Sequence, residues 1–383
     1  MLIPFSWLYG LVIWIRNSLY DHGLFKSSAF QVPLISVGNI TVGGTGKTPH
    51  VEYLAGLLKD EFHVATLSRG YMRRTRDFRI VSADSGVQEV GDEPLQIKRR
   101  YPDITVAVDR KRVNGVDRLM KKTPAVEVIL LDDAYQHRAI KPGLSILLMD
   151  YARPIDRDRL LPAGRLREPA SCRSRAHIIL VTKSPERIKP IERREYVNRL
   201  GLSLNQHLFF TTMRYGELSP VFPETTARNA AWFKKKVGGV LIVTGIANPR
   251  PLRQYARSIH TRLTELHFPD HHQFKAKDME KITRTFHALK AIDQEILVLT
   301  TEKDAMRLRE HEPEQALRDA FYAIPIYVHF LNDDKDEFDR QILSYVNSNK
   351  RSSILYQRED SRKSRYSHHP GNRTGKNSGS PGS

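Results

Sequence analysis

The segment Gly38-Asn39-Ile40-Thr41-Val42-Gly43-Gly44-Thr45-Gly46-Lys47-Thr48-Pro49 carries the densest chemistry in this chain. An apolar run ends at Val37, a glycine-rich turn follows, and a helix-forming stretch begins near Pro49. The backbone N–H groups of such a turn, with the helix N-terminus behind it, converge on an anion and suit phosphate. Thr41, Val42, Gly43, Gly44, Thr45, Gly46, Lys47 and Thr48 are therefore the candidate nucleotide-binding residues. Lys47 would reach the β- and γ-phosphates of a nucleoside triphosphate, and the Thr48 hydroxyl would hold Mg²⁺. The strict motif asks for glycine five residues before Gly46. Thr41 stands there, and Gly43 and Gly44 supply the backbone freedom instead.

A nucleotide site of this type needs an acid at the tip of a neighbouring buried strand. Val128-Ile129-Leu130-Leu131-Asp132-Asp133 provides two. Four aliphatic residues drive the strand into the core and leave Asp132 and Asp133 at its C-terminal edge, where open α/β sheets bind ligands. One carboxylate can hold Mg²⁺ through water while the other organises the site electrostatically. ATP suits the loop better than GTP. Guanine readers carry Asn-Lys-x-Asp, whereas Thr182-Lys183-Ser184-Pro185 lacks the aspartate and Thr301-Glu302-Lys303-Asp304 has its lysine one place off. Two further polar residues remain open on their own. Asp92, before Glu93-Pro94, has the chemistry of a helix N-cap as well as of a base. Arg165, in a Gly-Arg-Leu-Arg run, is either a further phosphate contact or a surface arginine.

The elements that must position these residues alternate. Val32–Val37, Val64–Leu67, Ile104–Val108, Val126–Leu131, Ser145–Met149 and Ile178–Val181 are near-continuous apolar runs, as expected of strands covered on both faces. Pro49–Lys59, Arg110–Lys121 and Glu192–Leu200 have the length and composition of connecting helices. The alternation predicts an α/β fold with a doubly wound, mostly parallel sheet over 31–213. Val240–Thr244, Leu263–Phe268, Ile296–Thr300 and Ile326–Phe330 predict a second, smaller α/β domain over 214–349, reached through a Pro- and Gly-rich hinge at 214–229. The basic segment 350–383, poor in apolar residues, is expected to be disordered.

The chain of 383 residues is 40% hydrophobic and 27% charged, which excludes a fully disordered or multi-span membrane protein. Its one cysteine, Cys172, excludes an internal disulfide framework and fits a reducing cytosol. The net charge is +18, and the segment from Lys350 onward adds eight Lys/Arg against two acidic residues, so most of the excess lies on the body. A basic body favours an anionic partner, such as an acidic membrane surface. No nucleic-acid module accompanies the charge, and neither nucleic acid nor an obligatory protein partner is expected. Leu2–Ile15 is apolar on every helical face, with Trp7 and Trp14 among its aliphatics, yet shorter than the roughly 20 residues a spanning helix needs. With Arg16 and Lys26 behind it, residues 1–30 read as a helix lying in the headgroup layer, or alternatively as a helix packed on the core.

Six blocks in order resemble the tetraacyldisaccharide 4′-kinase family of lipid A biosynthesis. They are Gly38–Pro49, Ser68-Arg69-Gly70-Tyr71, Gly91-Asp92-Glu93-Pro94, Leu131-Asp132-Asp133-Ala134-Tyr135-Gln136-His137, Leu161–Pro169 with its Gly-Arg-Leu-Arg-Glu-Pro, and Phe268-Pro269-Asp270-His271-His272. The likeness extends to about residue 345, and departs where Ala134 and Tyr135 replace the family's Gly-Phe. The resemblance implies ATP and Mg²⁺ as cofactors, a membrane-embedded glycolipid acceptor, and a monotopic enzyme on the cytoplasmic face of a Gram-negative inner membrane. It implies transfer of the γ-phosphate to the 4′-hydroxyl of a tetraacyldisaccharide 1-phosphate. It also implies that Asp92 is the catalytic base, with His271 orienting it or sharing its proton. The alternative is an ATPase acting as a regulatory or partition-type switch, weakened because such ATPases carry a lysine at the position of Val42.

Overall fold

A computed structural model of the chain describes residues 2–293 and 295–366, with side chains as far as residue 350. The large sheet is built from β1 (Leu34–Gly38), β2 (Val64–Ser68), β3 (Arg79–Ile80), β4 (Thr105–Val108), β5 (Val128–Asp132), β6 (Leu144–Asp150), β7 (Ile178–Thr182) and β8 (His207–Tyr215). A smaller sheet follows, from β9 (Ser219–Pro220), β10 (Gly239–Thr244), β11 (Leu263–His267), β12 (Ile296–Thr301) and β13 (Phe321–Ile324). The chain then returns to the large sheet as β14 (Ile326–Phe330).

The large sheet has the order β14-β8-β7-β6-β1-β5-β2-β4-β3. Every pairing from β8 to β4 is parallel, and the two edges, β14 and β3, are antiparallel. β1, β2, β5 and β7 are buried at every position, which is why their sequences read as unbroken aliphatic runs. β1 lies centrally between β5 and β6, so the turn that leaves it opens beside the C-terminal ends of its neighbours. That placement is the ligand-binding edge of an α/β sheet. The α/β class and the mostly parallel sheet stand as expected.

The second sheet runs β11-β10-β12-β13-β9. One apolar cluster passes from the large sheet into the small one, joining Leu95 and Ile97 of the helix Asp92–Arg100 to Met306 and Leu308 of the helix Glu302–Leu308. The expected second domain at 214–349 needs correction at its end. β14 pairs antiparallel with β8, and the helix Lys335–Tyr366 that follows buries Phe338, Ile342 and Val346 in that same cluster. A strand whose partner lies more than a hundred residues earlier leaves no local trace of which sheet it joins. The helical backbone also continues to Tyr366, into the segment expected to be disordered, while 367–383 lie outside the described residues.

The N-terminal helix, Ile3–Asp21, packs through its polar and small residues. Ser6 Oγ donates to the Leu160 carbonyl at 3.0 Å and accepts from Ala163 N–H at 2.9 Å. Tyr9 donates to the Arg167 carbonyl at 2.9 Å, and Asn17 to Glu168 at 3.3 Å. Its apolar residues face outward: Trp7 is 73% exposed and Trp14 63%.

The returning helix makes a prediction about stability. Phe338 is buried against the rings of Phe330 (4.6 Å), Phe209 (5.5 Å) and Tyr53 (6.0 Å). Phe338→Ala is expected to destabilise the protein by about 3–5 kcal/mol in urea unfolding. A loss below about 1 kcal/mol would show that this helix is dispensable to the large body.

Candidate active site

The turn after β1 is shaped by two glycines in the left-handed region, Gly43 (φ +104°) and Gly46 (φ +84°). At Gly46 a Cβ would also come within 2.5 Å of Met213 Cε. Asn39 Nδ2 braces the turn from below, donating to Thr45 Oγ1 at 2.9 Å and Thr41 Oγ1 at 3.4 Å. A second segment straps it from the side. Val42 N–H donates to the Arg165 carbonyl at 2.8 Å, and Arg167 N–H to the Ile40 carbonyl at 2.7 Å, so Thr41 and Leu166 face each other as an antiparallel bridge. Lys47 and Thr48 open the helix Lys47–Leu58, whose N-terminus meets this concavity. The arrangement is an anion cradle with one ammonium in it.

Lys47 Nζ lies 3.6 Å from Asp133 Oδ1, so the loop and the end of β5 meet. Asp133 itself has a positive φ of +48° and faces Arg167 at 3.9 Å. Asp132 is buried, and its Oδ1 has no hydrogen-bond partner. Burial pushes its carboxyl well above the usual carboxylate range, and the charges of Glu93 and Asp133 add to that. An unpartnered, buried carboxylate oxygen beside a second carboxylate, with a threonine hydroxyl in the first turn of the loop's helix, is a hard oxygen donor set, and it fits Mg²⁺. Thr48, Asp132 and Asp133 are the residues that would hold it.

Asp92 is the first residue of the helix Asp92–Arg100, and Gly91, not Asp92, occupies the cap position. The carboxylate is 4% exposed. Oδ1 accepts from Glu93 N–H at 3.0 Å, and Oδ2 meets His271 Nδ1 at 3.2 Å and Arg307 at 3.3 Å, with Lys303 at 4.0 Å. Lys303 Nζ donates to His271 Nε2 at 3.0 Å. An ammonium can only donate, so Nε2 is the acceptor and the ring proton sits on Nδ1, facing Asp92. Burial alone would raise the Asp92 carboxyl. The hydrogen bond from His271 and the charges of Lys303 and Arg307 outweigh it and hold the group below the usual range. His271 keeps a positive φ of +58° in order to reach.

The structure thus brings Lys47 to Asp133, places Asp132 beside it, and brings His271 to Asp92 across 179 residues. Glu93, next to Asp92, is near enough to Asp132 for its charge to act on it, so the two clusters are neighbours. Arg165 is different. Its side chain is exposed and only its backbone pairs with the loop, while Arg167 is the arginine of that run that faces Asp133. In an extended strap alternate residues point to opposite sides, which turns Leu166 inward and puts both arginines on the other side, where Arg167 alone faces Asp133. Thr41 is buried, accepts from Asn39 and bridges to Leu166. Lys303 and Arg307 went unread in the sequence. The available signal was their i,i+4 spacing on one face of a helix opened by Thr301, which accepts from Asp304 N–H at 3.1 Å.

The family model LpxK, tetraacyldisaccharide-1-P 4′-kinase, matches residues 1–347. The chain is 47% identical over 357 residues to the tetraacyldisaccharide 4′-kinase of Phocaeicola vulgatus, covering 92% of this chain and 96% of that one. It is 44% identical over 371 residues to the tetraacyldisaccharide 4′-kinase of Bacteroides thetaiotaomicron, covering 95% and 97%. Among solved structures it resembles LpxK from Aquifex aeolicus in complex with ATP, with a TM-score of 0.70 and 29% identity over 90% of this chain and 98% of that one. The switch alternative finds no support in these matches. With a phosphate loop, a paired-carboxylate strand end and a buried Asp–His pair set in that framework, the chain belongs to the tetraacyldisaccharide-1-P 4′-kinase family.

Proposed function

We propose that the residues gathered around the phosphate loop and Asp92 carry the family's reaction and divide the work as follows. The chain is a lipid A kinase: the γ-phosphoryl group of ATP passes to the 4′-hydroxyl of a tetraacyldisaccharide 1-phosphate. The observation that carries this reading is the nearness of the Lys47–Asp133 contact to the Asp92–His271 pair, whose neighbour Glu93 acts on Asp132. The phosphate loop and Lys47 hold and neutralise the triphosphate, which is most of what a loose phosphoryl transition state needs. Thr48, Asp132 and Asp133 would hold Mg²⁺, which would supply further charge neutralisation there.

Asp92 accepts the hydrogen bond of the incoming 4′-hydroxyl. As the new O–P bond forms and the bond to the ADP oxygen breaks, the hydroxyl proton passes to the carboxylate. A carboxylate held below its usual range is a weak base before the bond forms. It becomes competent as the attacking oxygen acidifies. His271 fixes its orientation through Nδ1–H, and Lys303 and Arg307 keep it ionised.

The acceptor carries four acyl chains, so we infer a monotopic enzyme on the cytoplasmic face of the inner membrane, where ATP is. Among the described residues no helix is long and apolar enough to cross a membrane. The helix Ile3–Asp21 turns its polar side to the protein and its apolar side out, the reverse of a helix packed on a core. Its Trp and Leu residues with Arg16 behind them suit an anionic headgroup layer. These features support the membrane surface and the membrane-embedded glycolipid as partners.

Transfer of labelled γ-phosphate to a tetraacyldisaccharide 1-phosphate acceptor tests the activity. Lys47→Ala should abolish it with the circular dichroism spectrum unchanged, and full turnover would remove the loop from the mechanism. Asp92→Asn should lower kcat by about 10²–10⁴-fold with little change in ATP KM. His271→Ala should lower it as well, and the double variant should fall far short of the product of the two. Multiplicative losses would argue that the two act independently. Replacing Trp7 and Trp14 by serine should weaken co-sedimentation with phosphatidylglycerol vesicles on the order of tenfold or more. Unchanged sedimentation would sink the interfacial role.

A further inference from the structure

Three successive carbonyls of the phosphate loop are held by side chains from outside it. The Gly44 carbonyl accepts from Lys183 Nζ, the Thr45 carbonyl from Thr182 Oγ1 at 2.8 Å, and the Gly46 carbonyl from His50 Nδ1 at 2.7 Å. A trans peptide is planar, with its C=O and N–H pointing in opposite directions. Each carbonyl engaged on one side therefore turns the next N–H to the other. The N–H groups so aimed are those of Thr45, Gly46 and Lys47, the run that must converge on phosphate. Gly43, Gly44 and Gly46 give the loop its freedom, and the same freedom lets its peptides flip. An outside restraint is what such a loop lacks by itself.

The restraining groups are themselves fixed. Lys183 follows β7 directly, has a positive φ of +54°, and is ion-paired to Asp150 at 3.0 Å at the end of β6. A non-glycine residue in that conformation costs free energy and persists where the surroundings demand it. His50 is buried, and its Nε2 meets Thr211 Oγ1 at 3.0 Å on β8. The Gly46 carbonyl can only accept, so Nδ1 carries the proton and Nε2 accepts from the threonine. Burial pushes the imidazole down to about 4, and at neutral pH it stays in that neutral form. The loop is thus anchored to the ends of β6 and β7 and to β8.

We propose that Lys183 and His50 are positioning residues that preset the phosphate loop for ATP by holding its carbonyls turned away from the ligand. This rests on the loop being the ATP site, and it adds two residues to the ATP-binding requirement that lie outside the motif.

The test measures KM for ATP, KM for the acylated disaccharide and kcat in Lys183→Met, His50→Leu and His50→Asn, with Lys47→Ala alongside. Loss of one charge-assisted restraint should raise ATP KM about tenfold in Lys183→Met, leaving the acceptor KM and the melting temperature without nucleotide unchanged. His50→Leu should behave likewise. His50→Asn, whose amide can still donate to the Gly46 carbonyl, should recover most of the ATP affinity. If Lys183→Met binds ATP like the parent, or if His50→Asn is no better than His50→Leu, the proposal fails. Should His50→Leu fold poorly, Lys183→Met, on an exposed side chain, decides the matter alone. Lys47→Ala separates the two levels. If it too leaves ATP KM and turnover intact, the site assignment itself is wrong, whereas loss in Lys47→Ala with parent-like Lys183→Met refutes only the positioning role.

Discussion

A carboxylate taken out of water must find positive charge, and Asp92 finds all of it on the other body of the molecule. It belongs to a helix that packs on the large sheet, while His271, Lys303 and Arg307 come from segments that follow β11 and β12 of the small one. Arg307 is itself fully buried, shared between Asp92 and Asp304, and it donates to the His272 carbonyl at 2.8 Å. Removing any one of these groups strands a charge in a poorly solvated place, which costs far more than the net worth of the pair. The two bodies therefore dock in one register, and that register sets Asp92 and its partners beside one another.

A second ionic cluster at the same junction repeats the logic. Arg100, at the far end of the helix that Asp92 begins, reaches Glu52 of the helix behind the phosphate loop and Glu302 at 3.6 Å. Glu52 is buried deeply enough that its carboxyl is raised to about 7 despite that arginine. The helix that holds the loop, the helix that carries Asp92 and the helix that carries Lys303 and Arg307 are thus tied at both ends of one contact. These ties and the apolar cluster between them set the phosphate loop and Asp92 relative to each other.

The segment Leu160–Glu168 links the site to the N-terminal helix. Its Arg165 and Arg167 backbones pair with the phosphate loop, while Leu160, Ala163, Arg167 and Glu168 bind Ser6, Tyr9 and Asn17. Glu168, fully buried, also pairs with Arg175 at 2.5 Å. A helix that offers its apolar side outward is therefore fastened by hydrogen bonds to the strap that shapes the loop.

Elements whose signal is local were legible in the residues alone. The unbroken aliphatic runs of β1, β2 and β5 declare strands covered on both faces, and Gly43-Gly44-Thr45-Gly46-Lys47-Thr48 declares an anion cradle, because both depend only on near neighbours in the chain. Family likeness, more than spacing, singled out Asp92 and His271. Only the tertiary structure decided that β14 joins β8, that Arg167 rather than Arg165 faces Asp133, and that Lys303 and Arg307 surround Asp92. Those outcomes depend on which distant surfaces bury one another and which buried charges must be neutralised. A residue's type constrains such choices without stating its partner.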